Sequence, residues 1–142
     1  MEQFPIILVE DDKDDCEFIL SALHEIGVKN KVHCFASPVT ALEYLKSTHE
    51  IPFIIISDIN MPQMNGLTFK KLINEDAKLN SKRIPFVFLS TSANAYLVDE
   101  AFHLCVHGYF QKPVAVKAYY DVAKSIIEYW KNSKLPQAVH NN

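Results

Sequence analysis

Pro52-Phe53-Ile54-Ile55-Ile56-Ser57-Asp58 is the stretch on which the fold turns. Its apolar run is too short for a helix, is rich in β-branched residues and shows no alternation, so it predicts a central strand covered on both faces. A strand of that kind belongs to a parallel sheet wrapped by helices, and it ends on a carboxylate, Asp58.

The same grammar extends upstream. Pro5-Ile6-Ile7-Leu8-Val9 is a second buried strand, halted by Glu10-Asp11-Asp12. Cys16, Ile19, Leu20, Leu23 and Ile26 then recur at steps of three and four, with Asp12 as N-cap and Gly27 as stop, which predicts an amphipathic helix. Lys31 to Phe35 reads as another strand, and Ser37-Pro38 opens a helix that buries Ala41, Leu42 and Leu45.

Downstream, Met61-Pro62 and Asn65-Gly66 make a turn into a helix with Phe69, Leu72 and Ile73 inside, followed by a polar connection from Asn74 to Arg83. Pro85 to Leu89 is the fourth strand, and Leu97, Val98, Ala101, Phe102 and Cys105 form the inner stripe of the next helix. His107 to Gln111 is a short fifth strand. The last helix turns Val116, Tyr119, Tyr120, Ala123, Ile126, Ile127 and Trp130 inward and leaves Lys117, Lys124 and Lys131 on a wet face. Ser133 to Asn142 has little to bury. Five strands alternating with five helices predict a doubly wound α/β domain over residues 1–132, with a short tail at 133–142 and no output domain.

Composition narrows the function classes. With 142 residues, 49% of them hydrophobic and 22% charged, the chain supports one ordinary globular core. A net charge of −3 with scattered basic residues argues against direct nucleic-acid binding. No apolar run approaches the ~18–20 residues of a membrane span, and no basic start marks a secretory signal, so a cytoplasmic location is expected. Cys16, Cys34 and Cys105 are an odd number at wide spacings and read as small buried hydrophobes rather than a disulfide framework. Three glycines are too few for the common phosphate-binding loops.

Chemistry gathers where apolar strands run out. Glu10, Asp11, Asp58, Ser90 and Lys112 all stand at the carboxyl ends of predicted strands, the edge where doubly wound sheets bind ligands. In the strand order 2-1-3-4-5 the first and third strands are neighbours, which brings Glu10, Asp11 and Asp58 to one crevice. Three carboxylates so close repel one another and need positive charge. Lys112 supplies one, and a hard divalent cation on oxygen ligands supplies two more, for which Mg2+ is the first choice and Mn2+ the alternative. Nearby cysteines or paired histidines that would suggest zinc are absent from this set; His103 and His107, four apart, are separated by a helix break.

Four motifs in register resemble the receiver domains of two-component response regulators: Ile7-Leu8-Val9-Glu10-Asp11-Asp12, Ile56-Ser57-Asp58-Ile59-Asn60-Met61-Pro62 with Gly66, Phe88-Leu89-Ser90-Thr91-Ser92-Ala93, and Gly108-Tyr109-Phe110-Gln111-Lys112-Pro113. The resemblance covers about residues 5–132 and implies the flavodoxin-like fold already read from the strands. It implies that Asp58 accepts a phosphoryl group from a sensor histidine kinase or histidine phosphotransfer protein, and that Glu10 and Asp11 bind metal with Asp58 and the main-chain carbonyl of Asn60. It also implies that Ser90 and Tyr109 are the switch pair, that Lys112 is the conserved-type lysine of the site, and that the Lys112-Pro113 bond is cis. The module would catalyse only its own phosphorylation and dephosphorylation and would act on a downstream protein, with homodimerisation through residues 94–132 an open alternative. Two departures stand out: a Glu-Asp acidic pair in place of Asp-Asp, and a serine at position 90 in place of threonine.

Plainer roles stand beside these. Asp12 serves first as a helix cap, Asp14 and Asp15 as solvated first-turn acids, Ser90 as a turn cap and Tyr109 as core. Two other functions compete. A haloacid-dehalogenase-type phosphohydrolase also uses a strand-end aspartate with Mg2+, but its second acid two residues on is here Asn60. A receiver-shaped interaction module working without phosphate would be expected to have lost the acid, the serine or the lysine.

Overall fold

The computed structural model describes residues 2–136. Five parallel strands, β1 (Ile6–Val9), β2 (Val32–Phe35), β3 (Ile54–Ser57), β4 (Phe86–Ser90) and β5 (Gly108–Gln111), form one sheet in the order β2-β1-β3-β4-β5. Among the described residues six helices surround it: α1 (Lys13–Glu25), α2 (Pro38–Ser47), α3 (Gly66–Glu75), α4 (Ala77–Ser81), α5 (Ala95–His103) and α6 (Ala118–Asn132). The expected doubly wound architecture and strand order are therefore present, with one helix more than expected.

Alternation along the strands builds two cores. Ile6 and Leu8 of β1, Ile54 and Ile56 of β3, and Val87 and Leu89 of β4 face α1 and α6. Ile7, Val9, Ile55, Phe86 and Phe88 face the other way, against Ala41, Leu42, Phe69, Ile73 and Ala101. Every residue of β1, β3 and β4 is buried, as their unbroken apolar sequence demands. Register aligns the strand ends: Val9 pairs with Ser57 and Phe35, and Ser90 pairs with Gln111.

Local signals set the helix starts. Asp12, Ser37 and Asn65 accept backbone N–H bonds from Asp15, Val39 and Thr68 and begin α1, α2 and α3. Gly27, at φ +85°, ends the turn after α1 in the left-handed region that glycine tolerates.

Several expectations need correction. The connection from Asn74 to Arg83 is not structureless: Asp76 caps the short α4, and Leu79 plugs the core. On α3, Lys70 is buried and Leu72 is exposed. Phe102 is exposed, and Cys105 lies beyond the end of α5 at φ +62°, exposed. Val116 precedes α6 and is exposed, whereas Leu135 is buried against the α1 and α6 layer. No peptide bond among the described residues is cis, Lys112-Pro113 included. The rest of the tail, 137–142, lies outside the described residues.

Candidate functional site

The site is a consequence of register. β1 and β3 are hydrogen-bonded neighbours, the N–H of Asp58 donates to Val9 O at 2.9 Å, and the N–H of Glu10 donates to Phe35 O at 2.9 Å. The two carboxylates are thus fixed by main chain just past the strand ends. Ligand oxygens of Glu10, Asp11 and Asp58 all lie within 4.8 Å of one another. Glu10 and Asp58 are buried, whereas Asp11 is exposed and opens the cluster to solvent.

Lys112 arrives from the end of β5, where its N–H donates to Ser90 O at 2.8 Å. Its Nζ meets Glu10 Oε1 at 2.6 Å, Asp15 Oδ2 at 2.8 Å and Asp58 Oδ2 at 3.2 Å. The lysine side chain is 3% exposed. Burial alone would pull its pKa down, but the hydrogen bonds and charges of these acids outweigh burial and hold it above the ordinary lysine value. Glu10 moves the opposite way from a normal ion-paired acid: burial, helped by the nearby Asp58 charge, pushes its carboxyl up to about 7 despite Lys112. One lysine facing three acids leaves a deficit of positive charge at the crevice.

Asp58 is held on both oxygens. Oδ1 accepts from Ile59 N at 2.7 Å, and Oδ2 faces Lys112. Its loop is pinned from below by Gly66, whose N–H donates to Ile59 O at 2.8 Å. A β-carbon on Gly66 would sit 2.2 Å from the Asp58 carbonyl oxygen, so only glycine fits. Asn60, two residues past Asp58, is exposed at the same edge.

Ser90 is fully buried at the end of β4, and its Oγ accepts from Ser92 N at 3.3 Å. Tyr109 of β5 donates its hydroxyl to Ser92 O, so that Ser92 links it to Ser90, and packs its ring 6.1 Å from that of Phe88. Burial raises the Tyr109 phenol above its ordinary value. The strand-end residues therefore come together as expected: Glu10, Asp11, Asp58 and Lys112 in one cluster, with Ser90 and Tyr109 joined beside it.

Asp15 corrects the sequence reading. It is not a merely solvated acid but a partner of Lys112. The available signal was its position four residues before buried Ile19, on the inner side of α1. The donor set fits a hard divalent cation, because carboxylate oxygens alone converge and the local charge is negative. No soft ligand lies in the cluster.

Comparison with known proteins agrees. The response regulator receiver domain family matches residues 6–124. The response regulator Rcp1 of Synechocystis is 28% identical over 88% of this chain and 87% of its own length. A probable methanogenesis regulatory protein, FilR2 of Methanothrix harundinacea, is 27% identical over 91% of this chain and 84% of its own. Among solved structures, the phosphorylated cyanobacterial phytochrome response regulator RcpA aligns at TM-score 0.86 and 31% identity, covering 94% of this chain and 99% of that one. The Mn2+-bound form of Rcp1 aligns at 0.83 and 27%, with the same coverage. With the sheet order, the acid and lysine cluster and the family match in agreement, the chain belongs to the response regulator receiver domains of two-component signalling.

Proposed function

We propose that Asp58 is the phosphoacceptor of a signalling switch, loaded from a sensor histidine kinase or histidine phosphotransfer protein. The observation that carries this reading is the convergence of Glu10, Asp11 and Asp58 within 4.8 Å, with Lys112 3.2 Å from Asp58 at the rim of the sheet. An Asp58 oxygen bonds to phosphorus as the bond from phosphorus to the donor nitrogen breaks, and the leaving imidazole takes up a proton. A carboxylate needs little activation for such a transfer; positioning and charge neutralisation do most of the work. Ile59 N–H and Lys112 orient the acid, and Lys112 also faces the incoming phosphoryl oxygens.

Mg2+, with Mn2+ as a substitute, would be held by Glu10, Asp11, Asp58 and the Asn60 carbonyl. Bound there, it neutralises charge that one lysine leaves uncompensated. The phosphoryl group then offers new acceptor oxygens to Ser90 and Lys112. Drawing Ser90 toward them disturbs the hydrogen bonds that link it through Ser92 to Tyr109, so a charge event reaches β5 and α5. The same chemistry lets the module catalyse its own dephosphorylation.

The surface that would carry the signal to a downstream protein spans residues 94–132, where Tyr96, Phe102, Val114, Val116 and Tyr129 are exposed. Homodimerisation through it is the competing use. A phosphohydrolase is disfavoured because Asn60 occupies the place of a second acid.

The test is incubation with Mg2+ and acetyl phosphate, read by intact mass. Wild type gains one phosphoryl group and Asp58→Asn gains none. Equal labelling of both proteins, or continuous turnover of an unrelated phosphoester, would overturn the assignment.

A further inference from the structure

We propose that Cys16 and Cys34 form a reversible thiol–disulfide pair that fastens α1 to the edge strand β2. The expectation of three buried cysteines is not met: Cys34 and Cys105 are exposed, and Cys16 is half-buried. Cys34 pairs with Leu8 across the β1–β2 ladder. Leu8 and Val32 pack in the layer beneath α1 together with Cys16, and alternation along β2 turns Cys34 to that same side. Cys16 sits in the first turn of α1, its N–H bonded to Asp12 O at 3.0 Å. The two thiols are close enough to interact electrostatically. Disulfides demand facing side chains without backbone movement, and a register that turns Cys34 into the layer where Cys16 packs is the placement that demand calls for.

The two sulfurs have different parts. β2 is an edge strand and Cys34 is exposed on it, so a reagent reaches Cys34 first. Burial and the adjacent thiol push the Cys16 thiol up to about 12, which leaves Cys34 as the attacking sulfur. The Cys34 thiolate attacks a sulfur of a small-molecule disulfide of the glutathione class and expels one thiolate. Cys16 then gives up its proton, attacks the Cys34 sulfur of the mixed disulfide and expels the second. The protein loses two electrons and two protons, and the reagent leaves as two thiols. Cys105 follows α5 on the opposite side of the sheet and takes no part.

The experiment treats the reduced chain with oxidised glutathione, alkylates the remaining thiols and maps peptides by mass. Alkylatable thiols fall from three to one, no glutathione mass remains, a single peptide pair joins Cys16 to Cys34, and dithiothreitol restores all three. Cys105→Ser behaves identically in forming the link, while Cys16→Ser retains glutathione on Cys34. A stable glutathione adduct on Cys34 of the wild type, a link between two chains, or an unreacted Cys34 would overturn the proposal. None of these readings involves Asp58 or metal, so the outcome is independent of the phosphoacceptor assignment.

Discussion

Lys112 alone counters three acids, and its removal defines what the site costs the fold. Breaking a buried ion pair by deleting one partner costs about 3–5 kcal/mol, because the charges left behind are uncompensated. Lys112→Met is therefore expected to lose about that much in urea unfolding at pH 8, and less at pH 5, where Glu10, its carboxyl pushed up to about 7 by burial, takes up a proton and sheds its charge. An equal loss at both values would mean that packing of the lysine stem, not charge, is what matters. Gly66→Ala tests the loop beneath Asp58: with its β-carbon 2.2 Å from a carbonyl oxygen, the backbone must shift, at a cost of about 1–3 kcal/mol in thermal unfolding. Most of these residues were legible because each polar group interrupts an apolar strand at its end. Asp15 was not, since its partner lies 97 positions away and only the packing of α1 against the β5 terminus joins them.

Elements were legible in kind, less so in rotation. Gly66 must face β3, and that anchor sets the turn of α3 about its axis. With about 100° per residue, the inner stripe then runs through Gly66, Phe69 and Ile73, leaving Lys70 about 65° and Leu72 about 95° from its centre. Lys70 buries its stem and holds its ammonium 5.4 Å from the Phe86 ring, so hydropathy alone chose the wrong residue. α4 was missed because five residues carry too little periodicity to register, although Asp76 was readable as a cap. The caps themselves are testable: Asp12→Ala removes the bond from Asp15 N at 3.0 Å and is expected to cost about 1 kcal/mol in urea unfolding. At the foot of β4 and β5, Phe86 N–H donates to His107 Nδ1 at 3.0 Å, and the imidazole stands edge-on to Trp130. Burial, with Lys70 adding repulsion, lowers the His107 pKa below 6.5. The stability this gives is present above 6.5 and is lost as pH falls through the folded value. An NMR titration should place His107 below 6.5, and Lys70→Met should move it upward; a midpoint unchanged by Lys70→Met would remove the charge coupling.

For the whole molecule, the reversal of strand order between β1 and β3 is what turns separate sequence motifs into one crevice. Helices leave β1 and β3 toward opposite faces, α1 to one and α3 to the other, so the gap between their starts is open to solvent. The wrapped parallel sheet followed from the apolar runs, and the strand order from the doubly wound fold they imply, whereas the charge imbalance inside the crevice became visible only when distances were known. It carries the last prediction. A ligand that binds the folded state alone stabilises it by mass action, about 2.7 kcal/mol at 100-fold excess over its Kd. For a domain of this size that corresponds to a rise in Tm of roughly 7–12 °C. Mg2+ or Mn2+ should produce such a shift at constant ionic strength, and Na+ should not. Glu10→Gln combined with Asp58→Asn removes two of the three converging carboxylates, and the shift should then largely vanish. If that double variant responded to the divalent ion as the wild type does, the cation would be bound elsewhere on the molecule, and the crevice would balance its acids through Lys112 and proton uptake on Glu10.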